Sequence, residues 1–144
     1  MKSVVFLFIV GIFLFTGCSK DEEVVTPSGP TNVASYEGLS DQSKTCSVTI
    51  GDIGGKSYVI GYSVSYSYSV LGGTATETHS KSNTDGIAEL ANNNFTINVA
   101  ENSPKGTITG ARSDGFVTGN FNFKVIRISN DTVTVSGAFN LTKK

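Results

Sequence analysis

His79 is the only histidine in the chain, and its neighbours limit the chemistry that it could support. Glu77 lies two residues earlier, so in a strand both side chains would occupy one face as potential metal ligands. Zinc sites need three or four protein ligands, and the chain has no Gly-x-Ser-x-Gly nucleophile motif. The polar neighbours Thr78, Ser80 and Lys81 indicate a solvated histidine on an edge strand. We therefore predict no metal, no cofactor and no catalytic residue.

Two glycine-containing segments approach known ligand-binding motifs without matching them. Residues 51–57 end in Gly-Lys-Ser but are one residue too short for a phosphate-binding loop, so a hairpin turn is expected. Asn83 and Asp85 suggest part of a calcium loop. The first ligand position would hold Lys81, however, and the twelfth would hold Asn92 where a bidentate Glu is required. A polar turn is the better interpretation.

A 13-residue segment alternates between large and small side chains, which is typical of a β-strand. Its even positions are Tyr58, Ile60, Tyr62, Val64, Tyr66, Tyr68 and Val70. Strands usually span about five or six residues, so this one is expected to bend, and Gly61 is the position that would tolerate a bulge.

The four tyrosines of this row are the candidate binding residues: Tyr58, Tyr62, Tyr66 and Tyr68. A tyrosine combines a large apolar ring with a polar tip, which suits contact with a carbohydrate, a peptide or a protein. The alternative is a core role, because the aliphatic side chains of the same row predict a buried face.

The first 17 residues have the pattern of a signal peptide. Lys2 precedes an apolar stretch over residues 4–15, which is shorter than the about 20 residues of a membrane-spanning helix. The segment Phe15-Thr16-Gly17-Cys18 resembles the lipobox of bacterial lipoproteins, with Phe15 where an aliphatic residue is usual. The resemblance implies cleavage after Gly17 and diacylation of the Cys18 thiol.

Residues 18–35 have the composition of a flexible tether. Pro27 and Pro30 fix φ and remove backbone donors, and the polar residues around them offer little apolar surface to offset ordering entropy. Residues 19–23, Ser-Lys followed by three acids, resemble the export signal of gram-negative lipoproteins that reach the outer face of the outer membrane. We expect a membrane-anchored protein of the outer membrane that faces the cell exterior; a periplasmic location is the alternative.

Residues 36–144 have the size of a single domain. The mature chain carries 10 Lys and Arg against 12 Asp and Glu, without a basic cluster, which argues against binding of nucleic acid.

Lipidation of Cys18 would leave Cys46 without an intramolecular disulfide partner. Because Cys46 alternates with Val48 and Ile50, it is expected to be a small core residue; an exposed thiol that pairs with another chain is the alternative.

The C-terminal third has the pattern of consecutive hairpins, with strands over residues 106–112, 116–128 and 132–141. Two apolar rows should face one core: Val117, Phe121, Phe123 and Val125 in the middle strand, and Val133, Val135, Phe139 and Leu141 in the last. Gly119 and Gly137 interrupt these rows, which suggests room for aromatic rings from neighbouring strands.

Asp131-Thr132-Val133 resembles an acidic-Thr-aliphatic site of bacterial O-glycosylation, so Thr132 is a candidate for modification.

These glycine-aromatic strands resemble the C-terminal domain of small β-rich lipoproteins whose function is unknown, and the resemblance implies a fold but no catalytic residues. We predict an all-β fold, either an antiparallel β-sandwich or a partly open up-and-down barrel. Residues 84–92 are expected to form a helical turn, with a strand as the alternative.

The function that these features favour is a non-catalytic binding or structural module. A carrier of a small apolar ligand is the alternative, with a barrel cavity lined by Tyr62, Tyr66, Phe121 and Phe139. A hydrolase comes third, because carboxylate pairs can assemble from distant strands.

Overall fold

A computed structural model describes residues 29–144 of the chain. This part forms nine β-strands and no helix, so the predicted all-β class is confirmed and nothing in it could cross a membrane as a helix. The strands are β1 (Thr31–Ser40), β2 (Thr45–Ile53), β3 (Lys56–Val70), β4 (Gly73–Ser82), β5 (Ala88–Glu89), β6 (Asn94–Ala100), β7 (Lys105–Ser113), β8 (Phe116–Ile126) and β9 (Thr132–Lys143). The predicted signal peptide, Cys18 and the predicted tether up to residue 28 lie outside the described residues.

All strands belong to one antiparallel sheet in the order β4-β3-β2-β1-β9-β8-β7-β6. Two four-stranded meanders are thus joined by the pairing of β1 with β9, and the short β5 pairs with β3 beyond the end of β4. The sheet encloses a single hydrophobic core but is not closed, since β4 and β6 remain edge strands. This arrangement is consistent with the predicted sandwich or open barrel.

The antiparallel order places alternate turns at opposite ends of the sheet. The chain enters at Thr31, and the β2–β3 turn, the β7–β8 turn and the C-terminal Lys144 share that end, which we call the entry end. The β1–β2, β3–β4 and β8–β9 turns lie at the opposite end, which we call the distal end.

The first strand begins earlier than the composition predicted. Ala34 pairs with Ile50 and Ser35 pairs with Thr49, so residues 31–35 belong to the sheet rather than to the tether. Backbone pairing requires no apolar side chain, which is why the polar composition of this segment gave no signal. The Asn32 side chain adds a hydrogen bond of 2.8 Å to the Asp52 carboxylate.

β3 carries the bulge that was predicted near Gly61. Thr49 of β2 pairs with Gly61 and the next residue, Ile50, pairs with Val59, which leaves Ile60 as one additional residue in β3. An additional residue reverses the face on which the following side chains lie. The row of large side chains therefore does not occupy a single face: Val59 is buried before the bulge, and the even positions are buried only after it.

Residues 84–92 do not form the predicted helical turn, and Ala88–Glu89 instead form the short strand β5. The Asn83 side chain accepts from the Asp85 amide and donates to the Gly86 carbonyl, and Gly86 adopts a φ of 93° that belongs to a turn. The next amides then bond to β3, with Ile87 donating to the Val59 carbonyl. Local capping of the turn by Asn83 and pairing with β3 therefore replace helical hydrogen bonds.

In the C-terminal hairpins the predicted apolar rows are confirmed, because both rows face the core. Phe121 lies opposite Gly137, and Phe139 lies opposite Gly119. A Cβ added at Gly137 would lie 2.6 Å from the Phe121 ring, so each glycine makes room for the ring on the neighbouring strand. This interlock is the role that the sequence suggested for the two glycines.

Candidate functional site

The four candidate tyrosines lie in three different environments. Tyr62 and Tyr66 point into the core and are 5% and 1% exposed. Tyr68 lies on the same face nearer the distal end and is half-buried. Tyr58 precedes the bulge and lies on the other face, where its ring packs against Gly86. The prediction of one tyrosine face is therefore wrong for Tyr58, because the bulge reverses the alternation.

Two of these tyrosines converge on a carboxylate of the next strand. The hydroxyl of Tyr68 donates to Glu77 Oε1 at 2.5 Å, and the hydroxyl of Tyr66 donates to Glu77 Oε2 at 3.1 Å. This contact arises because Tyr66 pairs directly with Glu77 in the β3–β4 hairpin and both side chains lie on the inner face. Burial and the Glu77 charge raise the pKa of Tyr66, and the hydrogen bond to Glu77 raises that of Tyr68. Both phenols therefore remain protonated donors at neutral pH.

The β3–β4 hairpin extends beyond the shorter β1–β2 hairpin at the distal end. Gln42, in the β1–β2 turn, accepts from the Ser67 amide at 2.9 Å and donates to the Ser136 carbonyl at 2.8 Å. The Gln42 side chain thus connects β3 to β9 where β1 and β2 have ended. Arg127 makes a second connection, since it donates to the Ser69 carbonyl at 3.1 Å.

Between the projecting hairpin and the β8–β9 turn lies an open groove of about 950 Å³, which we call the distal groove. Its walls are mainly apolar, and the Glu77 carboxylate lies among them. The lining consists of Tyr68, Val70, Leu71, Ala75, Glu77, Ile126, Arg127, Ile128 and Ser129. Leu71 and Ile128, at the tips of the two turns, are fully exposed. Exposed apolar side chains that cluster in this way typically mark an interaction site.

The sequence did not point to this groove. Leu71 precedes two glycines and Ile128 stands between Arg127 and Ser129, so both are aliphatic residues inside polar turn segments. An aliphatic residue in a polar turn segment is the feature of the sequence that could have indicated an interaction surface. Glu77 was considered only as a metal ligand beside His79, because its proximity to Tyr66 and Tyr68 depends on the register of the hairpin.

The four residues of the predicted barrel cavity, Tyr62, Tyr66, Phe121 and Phe139, are all buried in the hydrophobic core. The Tyr66 ring contacts Phe123 edge-on with ring centroids 5.3 Å apart, and Phe121 stacks on Phe123 at 5.4 Å. None of these rings lines the distal groove. The space available to a ligand is therefore at the end of the core rather than among these four residues.

His79 is buried, at 7% exposure, and the expectation of a solvated histidine is wrong. Its Nε2 lies 2.8 Å from the Tyr62 hydroxyl, and its ring meets the Phe123 ring edge-on at 6.2 Å. Its Nδ1 lies 3.7 Å from a Glu101 carboxylate oxygen, which is beyond hydrogen-bonding distance. His79 lies on the inner face of the edge strand β4, where its ring packs against Phe123 and its Nε2 meets the Tyr62 hydroxyl.

Cys46 is a buried core residue, as the alternation predicted. Burial raises the pKa of its thiol, which disfavours the reactive thiolate. Paired hydroxyls of β3 and β4 lie on the face of the sheet opposite the core. Ser65 bonds to Thr78 at 2.8 Å, and Ser67 bonds to Thr76 at the same distance.

Thr132 is exposed and begins β9 directly after the β8–β9 turn, so its proposed modification remains a prediction at an accessible position. Within residues 29–144, His, Cys, Asp and Glu side chains do not converge in groups of three or more that could hold a metal ion.

No protein-family model matches this chain, and comparisons with curated proteins and with solved structures found no match.

Proposed function

We propose that this protein is a lipid-anchored, non-catalytic binding module of the outer-membrane surface, and that its binding site is the distal groove. The anchor would be the acylated Cys18. The observation that carries the proposal is the distal groove itself, which is mainly apolar, has a volume of about 950 Å³ and lies between two exposed aliphatic tips.

The ligand that fits these dimensions is a small amphipathic molecule. Ligand pockets commonly have volumes of about 300–1,000 Å³ and combine apolar walls with a few polar groups that fix orientation. In the distal groove the polar groups are the Glu77 carboxylate and the Tyr68 hydroxyl. The protein would then be a binding module whose ligand is a small molecule, and that ligand would lie at the open end of the core.

The direction of the chain supports a binding role away from the membrane. β1 begins at the entry end, and the 12 residues from Ser19 to Pro30 would link it to an anchored Cys18. The distal groove lies at the opposite end of the sheet. A ligand could then approach this groove without obstruction by the membrane to which the entry end is tethered.

The position of His79 supports a role without catalysis. The ring is enclosed by Tyr62, Phe123 and Glu101, and it does not line the distal groove. A histidine that acts as an acid or a base must reach the reacting group of a substrate. Here its neighbours indicate a structural role at the edge of the core.

The groove can be tested with two substitutions on one strand. Ala75 lines the groove, whereas Thr76 lies on the outer face of β4. Ala75→Phe should fill part of the groove and reduce binding of the uncharged fluorescent probe N-phenyl-1-naphthylamine. Thr76→Phe adds the same ring outside the groove and should leave binding unchanged. Equal binding by both variants and the unaltered protein, with similar melting temperatures, would refute the proposed site.

A further inference from the structure

Glu77 is the one acidic side chain that lines the distal groove. Each of its oxygens accepts from a phenol, Oε1 from Tyr68 and Oε2 from Tyr66. A carboxylate offers about four acceptor sites on its two oxygens. Two phenols therefore fix its orientation and leave acceptor capacity free. Glu77 is exposed, so this capacity is available to a ligand in the groove.

The negative charge of Glu77 has no partner within ion-pair distance among the described residues, where the ion pairs involve other side chains. Arg127 is the basic residue of the groove. Its guanidinium pairs with Asp131, and one of its nitrogens donates to the Ser69 carbonyl. Arg127 is thus paired with Asp131, whereas Glu77 is the charged residue of the groove that has no ion-pair partner within residues 29–144.

The rings next to Glu77 also favour a cation. Tyr68 is half-buried on the groove wall, and its ring stacks on Tyr66 with centroids 6.4 Å apart. The face of an aromatic ring attracts an ammonium group, most strongly where water is partly excluded. Apolar side chains such as Val70 and Ile126 continue the wall beyond this polar corner.

From this arrangement we infer that the distal groove binds amphiphiles whose head is a primary ammonium group and whose body is apolar. This inference rests on the proposed function, since it names the ligand class of the same groove. The ammonium donates to the free acceptor sites of Glu77 beside the Tyr68 ring, and the apolar body lies along Val70, Ile126 and the aliphatic tips.

Three probes with one chain length separate the head group from the body: octylamine, octanol and octanoate. An alkylamine has a pKa near that of lysine, about 10.4, so octylamine is a cation at neutral pH. Each probe is titrated against bound N-phenyl-1-naphthylamine. Octylamine should displace the dye at a concentration about five- to tenfold lower than octanol, with octanoate the weakest.

Glu77→Gln should remove the advantage of octylamine over octanol while the dye still binds, because the substitution deletes the charge and keeps the size. Glu37→Gln is the matched control, since Glu37 pairs with Lys144 outside the groove and should leave the order of the probes unchanged. Equal affinity for octylamine and octanol, or a preference for octanoate through Arg127, would overturn the ammonium inference but leave the groove in place. Failure of the dye and of all three probes to bind would overturn the proposed function as well.

Discussion

His79, on the inner face of the edge strand β4, covers the core where the sheet is open. Edge strands expose backbone groups, so their side chains are commonly polar. His79 combines an aromatic ring, which packs on Phe123, with a nitrogen that meets the Tyr62 hydroxyl. Burial raises the pKa of Tyr62, so its hydroxyl stays protonated and can donate to the imidazole. The pair satisfies two polar groups that would otherwise be unpaired inside an apolar core.

At this scale we predict that His79→Ala lowers the free energy of unfolding by about 1–3 kcal/mol, because it leaves the buried Tyr62 hydroxyl without its partner. Ser80→Ala is the control, since Ser80 is the next residue on the strand and is exposed on the outer face; its effect should stay below about 0.5 kcal/mol. Urea denaturation of both variants measures the difference. Indistinguishable midpoints would mean that the contact between His79 and Tyr62 contributes nothing to stability.

At the level of elements, the β8–β9 hairpin is held by rings that cross onto glycines of the neighbouring strand. The pairing alternates, with Phe121 opposite Gly137 and Phe139 opposite Gly119. Cross-strand packing of this kind fixes the register, because a slip by one residue would bring each ring against a side chain or turn it to solvent.

Phe121→Ala should therefore reduce the free energy of unfolding by about 3–5 kcal/mol, the usual cost of a large cavity in a core. Asn122→Ala changes the adjacent exposed residue of the same strand and should have little effect. Thermal and denaturant unfolding of the two variants give the comparison. A small effect at Phe121 would be incompatible with its observed burial against Tyr66 and Phe123.

The whole molecule combines an anchor expected at Cys18 with a sheet whose entry and distal ends are opposite. If Cys18 carries the lipid, Cys18→Ser should abolish labelling by a fatty-acid analogue and leave the protein soluble or unprocessed. Cys46→Ser is the control for the other thiol: labelling should persist, because Cys46 is buried in the core. Labelling that survives in Cys18→Ser would contradict the anchor.

Three features could be predicted from local sequence patterns: the all-β class, the hairpins of the C-terminal third and the bulge near Gly61. These features depend on local properties, namely the period of two, the turn residues and the absence of a side chain at glycine. The core role of Cys46 followed from the same alternation. The start of β1 escaped this reasoning, because the pairing of a polar segment depends on the strand beside it.

The side of the sheet that each candidate residue faces depends on long-range contacts that local patterns do not contain. The bulge separated Tyr58 from the other tyrosines, and closure of the core at an edge strand buried His79. The distal groove forms because the β3–β4 hairpin extends past the ends of β1 and β2 and contacts the β8–β9 turn. Such a groove depends on contacts between residues more than 50 positions apart, for example Ser69 and Arg127, and no local pattern records which distant turns will meet.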